Sequence, residues 1–236
     1  MQNFRKRVQG IEGSREGKII KPWNPGPLLS TIWIFAKVQL YLYIKMEIVI
    51  ASKNLGKIRE IREILGERVN LLSLSDLSLD IDVAENGESY RENAGRKAIM
   101  VSSISKKIAL ADDSGLEIEA LNGAPGVISA RFGGDIDWDR KNLMILELLS
   151  GLPAEKRKAR FVSIVCLAYP NGRVETAEGI VEGVIAEEPK GKGGFGYDPI
   201  FYYPLLEKTF AELSQEEKNR ISHRAKALCK IKRFLI

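Results

Sequence analysis

Glu47-Ile-Val-Ile-Ala51-Ser52-Lys53-Asn54-Leu55-Gly56-Lys57 is the stretch that decides the fold class. Ile48 to Ala51 is a short, mostly β-branched apolar run, the pattern of a buried strand. Ser52 and Asn54 follow, and either can cap a helix. Leu55, Ile58, Ile61, Ile64 and Leu65 then recur at helical spacing. Buried strand, polar turn and amphipathic helix make the opening unit of an α/β fold. Working outward, a second strand is expected over 69–74, a helix over 89–105 and a buried strand over 107–111. A further strand is expected over 116–121, and a helix over 139–149 with Leu143, Leu146 and Leu149 inward. Pro170-Asn-Gly172 separates two strand-like runs, 159–169 and 173–185, and signals a hairpin. Ser214-Gln-Glu-Glu217 fits a capping box at the start of a helical end, 214–236. The expectation is mixed α/β: βα units first, an antiparallel ribbon later.

The chain has 236 residues, 44% hydrophobic and 28% charged, enough apolar content for a sizeable core. Lys and Arg number 36 and Asp and Glu 31, a net charge of +5. Residues 1–45 hold eight basic and two acidic groups, so the remaining 28 basic and 29 acidic groups nearly balance. A near-neutral body gives a polyanion such as nucleic acid no general attraction. Lys21-Pro-Trp-Asn-Pro-Gly-Pro27 breaks any helix, and the apolar run 28–44 is interrupted by Lys37. Residues 1–45 are therefore read as an N-terminal extension, non-native or disordered, with Met46 opening the domain 46–236; a membrane anchor is the alternative. Cys166 and Cys229 form no CxxC pair, which suits a reducing, cytoplasmic setting. One histidine, His223, excludes a His-rich zinc site made by this chain alone. A bound metal would have oxygen ligands, which points to Mg²⁺ or Mn²⁺.

Several segments could carry chemistry. Ser52 to Lys57 could cradle phosphate at a helix N-terminus; a capped helix with solvated lysines is the plainer account. Asp112-Asp113-Ser114-Gly115 stands where α/β sheets place active sites, at the carboxyl end of a strand; alternation sends the two carboxylates to different sides. A surface turn explains the same residues. Glu85, Glu88 or Glu92 could complete a metal site, or belong to an acidic helix start. Gly191-Lys-Gly-Gly-Phe-Gly196 matches a dinucleotide fingerprint only literally, because Tyr197-Asp198-Pro199 does not open a helix. Its loop leaves Phe195 and Tyr197 for stacking and Asp198 for hydrogen bonding, unless one aromatic plugs the core. Lys218 and His223 lie about 140° apart on an unbroken helix; a break with Ser222 as new N-cap would bring them together, and a basic, solvated helix with a structural His223 explains the same residues.

The order of these motifs carries a resemblance. Ser52-x-Asn-x-x-Lys57, Ala111-Asp-Asp-Ser-Gly-Leu116, Gly123-Ala-Pro-Gly-x-x-Ser-Ala-Arg131, Gly193-Gly-Phe-Gly-Tyr-Asp-Pro199 and Ser222-His-Arg224 resemble the inosine/xanthosine triphosphate pyrophosphatase family, also called HAM1-like or RdgB-like. The resemblance implies an elongated mixed α/β fold, two lobes with a nucleotide-binding cleft between them, and a homodimer. It implies Mg²⁺-dependent hydrolysis of ITP, dITP or XTP to the monophosphate and pyrophosphate. By position, Asp113 resembles the proton acceptor and a metal ligand, and Glu85 the second ligand. Ser52, Lys53, Asn54, Leu55, Gly56 and Lys57 resemble the triphosphate-binding turn. Ser114 resembles a substrate contact; Phe195, Gly196, Tyr197 and Asp198 resemble the base-binding loop. Lys218, His223 and Arg224 resemble the remaining nucleotide contacts. The chain differs from many members in having Ala84-Glu85 in place of two acids and Ser52-Lys53 in place of Thr-Gly. Two rivals stand beside it: a Maf-type pyrophosphatase acting on modified or pyrimidine nucleotides, and a non-enzymatic protein binding single-stranded nucleic acid.

Overall fold

The computed structural model describes residues 46–66 and 69–235; the expectation for 1–45 lies outside the described residues. Strand β1 (Glu47–Ile50) leads into helix α1 (Leu55–Leu65) and strand β2 (Asn70–Ser73). Helix α2 (Tyr90–Ser105) returns the chain to β3 (Ile108–Ile118), which lies parallel to β1, as β2 does on the other side. Helix α3 (Trp138–Leu148) follows, then the long hairpin β4 (Lys158–Ala168) and β5 (Val174–Ile185). Short strands β6 (Phe201–Tyr203) and β7 (Lys208–Thr209) precede helices α4 (Gln215–Ile221) and α5 (His223–Ile231). Among the described residues the strands form one mixed sheet in the order β2-β1-β3-β4-β5-β6-β7. None of the described helices is long and apolar enough to cross a membrane.

Two strands expected around the paired aspartates are one. β3 runs unbroken from Ile108 to Ile118, with Asp112, Asp113, Ser114 and Gly115 inside it. Its polar centre is held by β4, where Asp112 pairs with Val165 and Ser114 with Ser163. Cross-strand pairing overrides the weak strand preference of Asp and Gly. The expectation of a strand end survives for the neighbour: β1 pairs with β3 only as far as Leu110, so the aspartates lie just beyond the carboxyl end of β1. Leu143, expected inward, is exposed, and Lys141, Asn142 and Ile145 take the buried stripe of α3.

Alternation along β3 sorts its residues onto two faces. Ala109 and Ala111 pack with Val162, Ile164 and Cys166 under Ala94, Ala98 and Val101 of α2. On the other face, Leu110 joins Ile48, Ile50, Val165 and Leu167 beneath α1 and α5. Further along that face, Leu116, Ile118 and Phe161 join Ile145 and Leu149 beneath α3. Between the two apolar clusters lies a belt of buried polar residues: Asp112, Ser163 and Arg224. A buried carboxylate costs several kcal/mol unless fully partnered, so the belt opposes stability and needs compensation. Gly179 of β5 lets α5 approach, since a Cβ there would lie 2.0 Å from the His223 carbonyl oxygen.

Candidate functional site

The turn after β1 is fixed locally. Asn54 Oδ1 accepts the Lys57 amide at 3.1 Å and starts α1. That places Lys57 in the first turn, facing β3. Its Nζ lies 2.9 Å from Asp112 Oδ2. Asp112 also accepts from Ser163 Oγ (2.5 Å), Ser114 Oγ (3.1 Å) and Arg224 Nη2 (3.1 Å). Burial alone would push this carboxyl up, but Arg224 and Lys57 reverse that and hold it well below the usual range. Asp113, one residue on, faces α2. Its Oδ1 lies 2.9 Å from Lys97 Nζ, and its Oδ2 accepts from Asn93 Nδ2 at 3.2 Å. Here burial wins over Lys97 and Lys57, and the carboxyl is pushed up. The pair thus divides into one locked anion and one carboxylate inclined to take a proton.

Lys97 Nζ also lies 2.9 Å from Glu85 Oε1. Asp113 and Glu85 therefore turn toward one cation at the wall of one cavity of about 250 Å³. Ser52, Lys53, Asn54, Lys57 and Ser114 line the same cavity. Lys53 is exposed and pairs with Asp80 at 2.9 Å. Leu55 is exposed at the first helical position, outside the cavity lining. Glu88 and Glu92, the other metal candidates, serve the start of α2: Glu92 accepts the Glu88 amide and pairs with Arg96.

A smaller cavity of about 70 Å³ adjoins, lined by Phe161, Phe195, Gly196, Tyr197, Asp198, His223, Arg224 and Trp138. Asn54, Lys57, Ser114 and Ala130 border both cavities. The Phe195 ring rests on Gly56, where a Cβ would come within 2.7 Å of the ring. Beneath it, Lys218 Nζ lies 4.8 Å from the ring centroid, as the expected break at Ser222 permits: Ser222 closes α4 and caps α5. Lys218 bridges Glu60 (2.7 Å) and Asp198, while Arg224 joins Glu60 to Asp112. Burial works against the Glu60 charge, but Arg224 and Lys218 bring its pKa down to about 2. His223 stacks on Phe161 at 4.7 Å, and burial together with Arg224 keeps the ring neutral. His223 Nδ1 and Arg224 Nε have no hydrogen-bond partner among the described residues.

Two residues of the expected base-binding loop line the smaller cavity and also have partners within the protein. Tyr197, expected to stack, borders the cavity from the core, and its hydroxyl donates to the Ser129 carbonyl at 2.9 Å. Asp198, expected to bond a base, accepts the Phe195 amide (2.7 Å) and the Lys218 ammonium on Oδ2. Sequence reasoning missed Lys97, Asn93 and Glu60. Asn93 and Lys97 stand on the buried stripe of α2 with Tyr90, Ala94, Ala98 and Val101, and polar residues at apolar positions were the available signal. Glu60 lies one turn beyond Lys57 on α1 and gave no such signal.

A seven-stranded mixed sheet with a lysine- and carboxylate-lined cavity opening onto an aromatic one defines an α/β protein built to hold an anionic ligand with a flat ring at one end. The chain belongs to the Ham1 family, whose model matches residues 48–234. It is 48% identical over 192 residues to a dITP/XTP pyrophosphatase of Desulforamulus reducens, covering 80% of this chain and 96% of the relative. It is 52% identical over 184 residues to a protein of the same name from Thermus thermophilus, covering 78% and 88%. The solved structure of a HAM1 protein from Coxiella burnetii superposes with a TM-score of 0.73 at 41% identity, covering 80% of this chain and 98% of that one.

Proposed function

We propose that this chain hydrolyses non-standard purine nucleoside triphosphates (ITP, dITP, XTP) to the monophosphate and pyrophosphate. The observation that carries the reading is the wall shared by the two cavities, Asn54, Lys57, Ser114 and Ala130. A ring beside Phe195 and a phosphate chain passing Lys57 then occupy one groove. The names of the relatives support the same reaction.

A nucleoside triphosphate carries about four negative charges, which the groove must neutralise. Lys53, Lys57 and Lys97 line the larger cavity and supply part of this, and a bound divalent ion would supply the rest. Water attacks the α-phosphorus, the bond to the bridging oxygen breaks, and pyrophosphate leaves. Asp113 accepts the water's proton, a role that its raised pKa favours. Asp113 and Glu85 are two hard oxygen donors turned toward one cation, and would hold Mg²⁺, or Mn²⁺ in its place. The ion, when bound, supplies charge neutralisation and a lowered water pKa. At the ring end, Arg224 Nε is a buried donor without a partner among the described residues. A 6-oxo purine can satisfy it, whereas the 6-amino group of adenine opposes it with another donor, and such mismatches discriminate strongly.

Pyrophosphate release from ITP, XTP, GTP and ATP, with and without Mg²⁺, tests the reading. Fast release from ITP and XTP that requires the ion is expected. No release from either, or equal release from ATP, overturns it. We extend the reading to a cytoplasmic homodimer, in keeping with two free cysteines; light scattering and cell fractionation test these two points.

A further inference from the structure

Helix α3 has no part in the assignments above, yet its first turn faces the smaller cavity. Asp137 caps it, accepting the Arg140 amide at 2.7 Å, and fixes where Trp138 begins. Trp138, Lys141 and Asn142 stand at i, i+3 and i+4, one face of the helix. Lys141 is buried, and its ammonium donates to the Ala130 carbonyl at 2.6 Å. Asn142 is buried and donates to the Gly196 carbonyl at 3.1 Å. Ala130 and Gly196 are backbone walls of the cavity, so the helix pins both. The indole of Trp138 borders the same cavity. It is half-buried, edge-on to Tyr197 at 5.2 Å, with Lys141 Nζ 5.2 Å from its ring. Its flat apolar ring forms part of the cavity wall.

We infer that Trp138 is a further base-contacting residue, and that Lys141 and Asn142 are positioning residues that hold the cavity walls around it. The inference rests on the proposed nucleotide reading and adds a ring contact from a third part of the chain, beyond the glycine loop and α5. Contact with an aromatic ring suits every base, because each has a π face, so Trp138 contributes affinity for the ring and leaves the choice of purine to the polar groups.

The test uses the product IMP, which binds without turnover. The chain has three tryptophans, the others being Trp23 and Trp33, so Trp138→Phe supplies the background emission. IMP should change the fluorescence of the wild-type chain and leave that of Trp138→Phe unaltered. Trp138→Ala should raise KM for ITP by about tenfold, with kcat near wild type. Inhibition by inorganic triphosphate, which has no ring, should stay unchanged in that variant; a variant damaged in its fold would lose both. Should Trp138→Ala not fold, Trp138→Leu keeps the bulk without the π face. If calorimetry detects IMP binding while fluorescence does not change and KM for ITP is kept, Trp138 does not touch the base. If neither IMP nor ITP binds the wild-type chain, the nucleotide reading itself falls.

Discussion

Asp112 and Asp113 are adjacent in the chain and opposite in chemistry. Asp112 lies in the polar belt between two apolar clusters, among Lys57, Arg224, Ser163 and Ser114, and is held ionised. Asp113 lies on the α2 side at a cavity wall, beside Lys97 and Asn93, and its proton affinity is raised. A strand's two-residue alternation is enough to separate a carboxylate that organises cations from one that can take a proton. The difference teaches that function at such a pair is assigned by the facing helix, not by residue type.

The sharpest way to break this comparison is to neutralise each acid in turn. Asp112→Asn leaves buried Arg224 and half-buried Lys57 against a neutral group, and should cost about 3–5 kcal/mol of stability in denaturant titration. The depressed folded pKa of Asp112 means that its stabilisation is present above the unfolded value, about 3.9, and is lost as pH falls through the folded one. Asp112→Asn should remove that acid-side loss. Asp113→Asn should behave in reverse. Its carboxyl is raised in the fold, so its charge weighs against folding at neutral pH. The variant should melt at the wild-type temperature or above, yet lose at least about 100-fold in kcat. Near-wild-type turnover would remove Asp113 from the mechanism.

A finer probe of the Asp113 side is its pH profile. The base must be ionised, so kcat/KM should fall with acid along a limb lying above the ordinary aspartate range. Lys97→Met removes a charge that lowers the Asp113 pKa, and should move that limb to higher pH. An unmoved limb would separate Lys97 from Asp113. On the Asp112 side, Phe195→Ala should raise KM for ITP by about tenfold while leaving kcat largely intact. The smallest effect is expected at Lys53, exposed and paired with Asp80. Lys53→Ala should raise KM about two- to threefold at low salt, and less at high salt.

Much of this arrangement was legible in the chain. The β-branched run 48–51, the helical spacing from Leu55 and the Pro170-Asn-Gly172 turn each carry their own local physics, and each forms the expected element. Helix geometry says only that Lys218 and His223 converge if the helix breaks at Ser222, and the structure has that break. The continuity of β3 was not legible, because Asp-Asp-Ser-Gly is a poor strand sequence and only the register with β4 makes it one. The inward turn of Lys141 and Asn142 in place of Leu143 depends on carbonyls of Ala130 and Gly196 far away in sequence. Most residues singled out by motif order line the two cavities, with Leu55 outside them, whereas Lys97 and Glu60 required knowledge of which helix faces which acid.

The seat of Phe195 on Gly56 has one more consequence. The ring's resting place is the opening turn of the very helix that carries Lys57, so a single methyl group added there would disturb both ends of any ligand at once. Drift in one half of the groove cannot proceed without the other, and the spacing between head and tail acts as a built-in ruler.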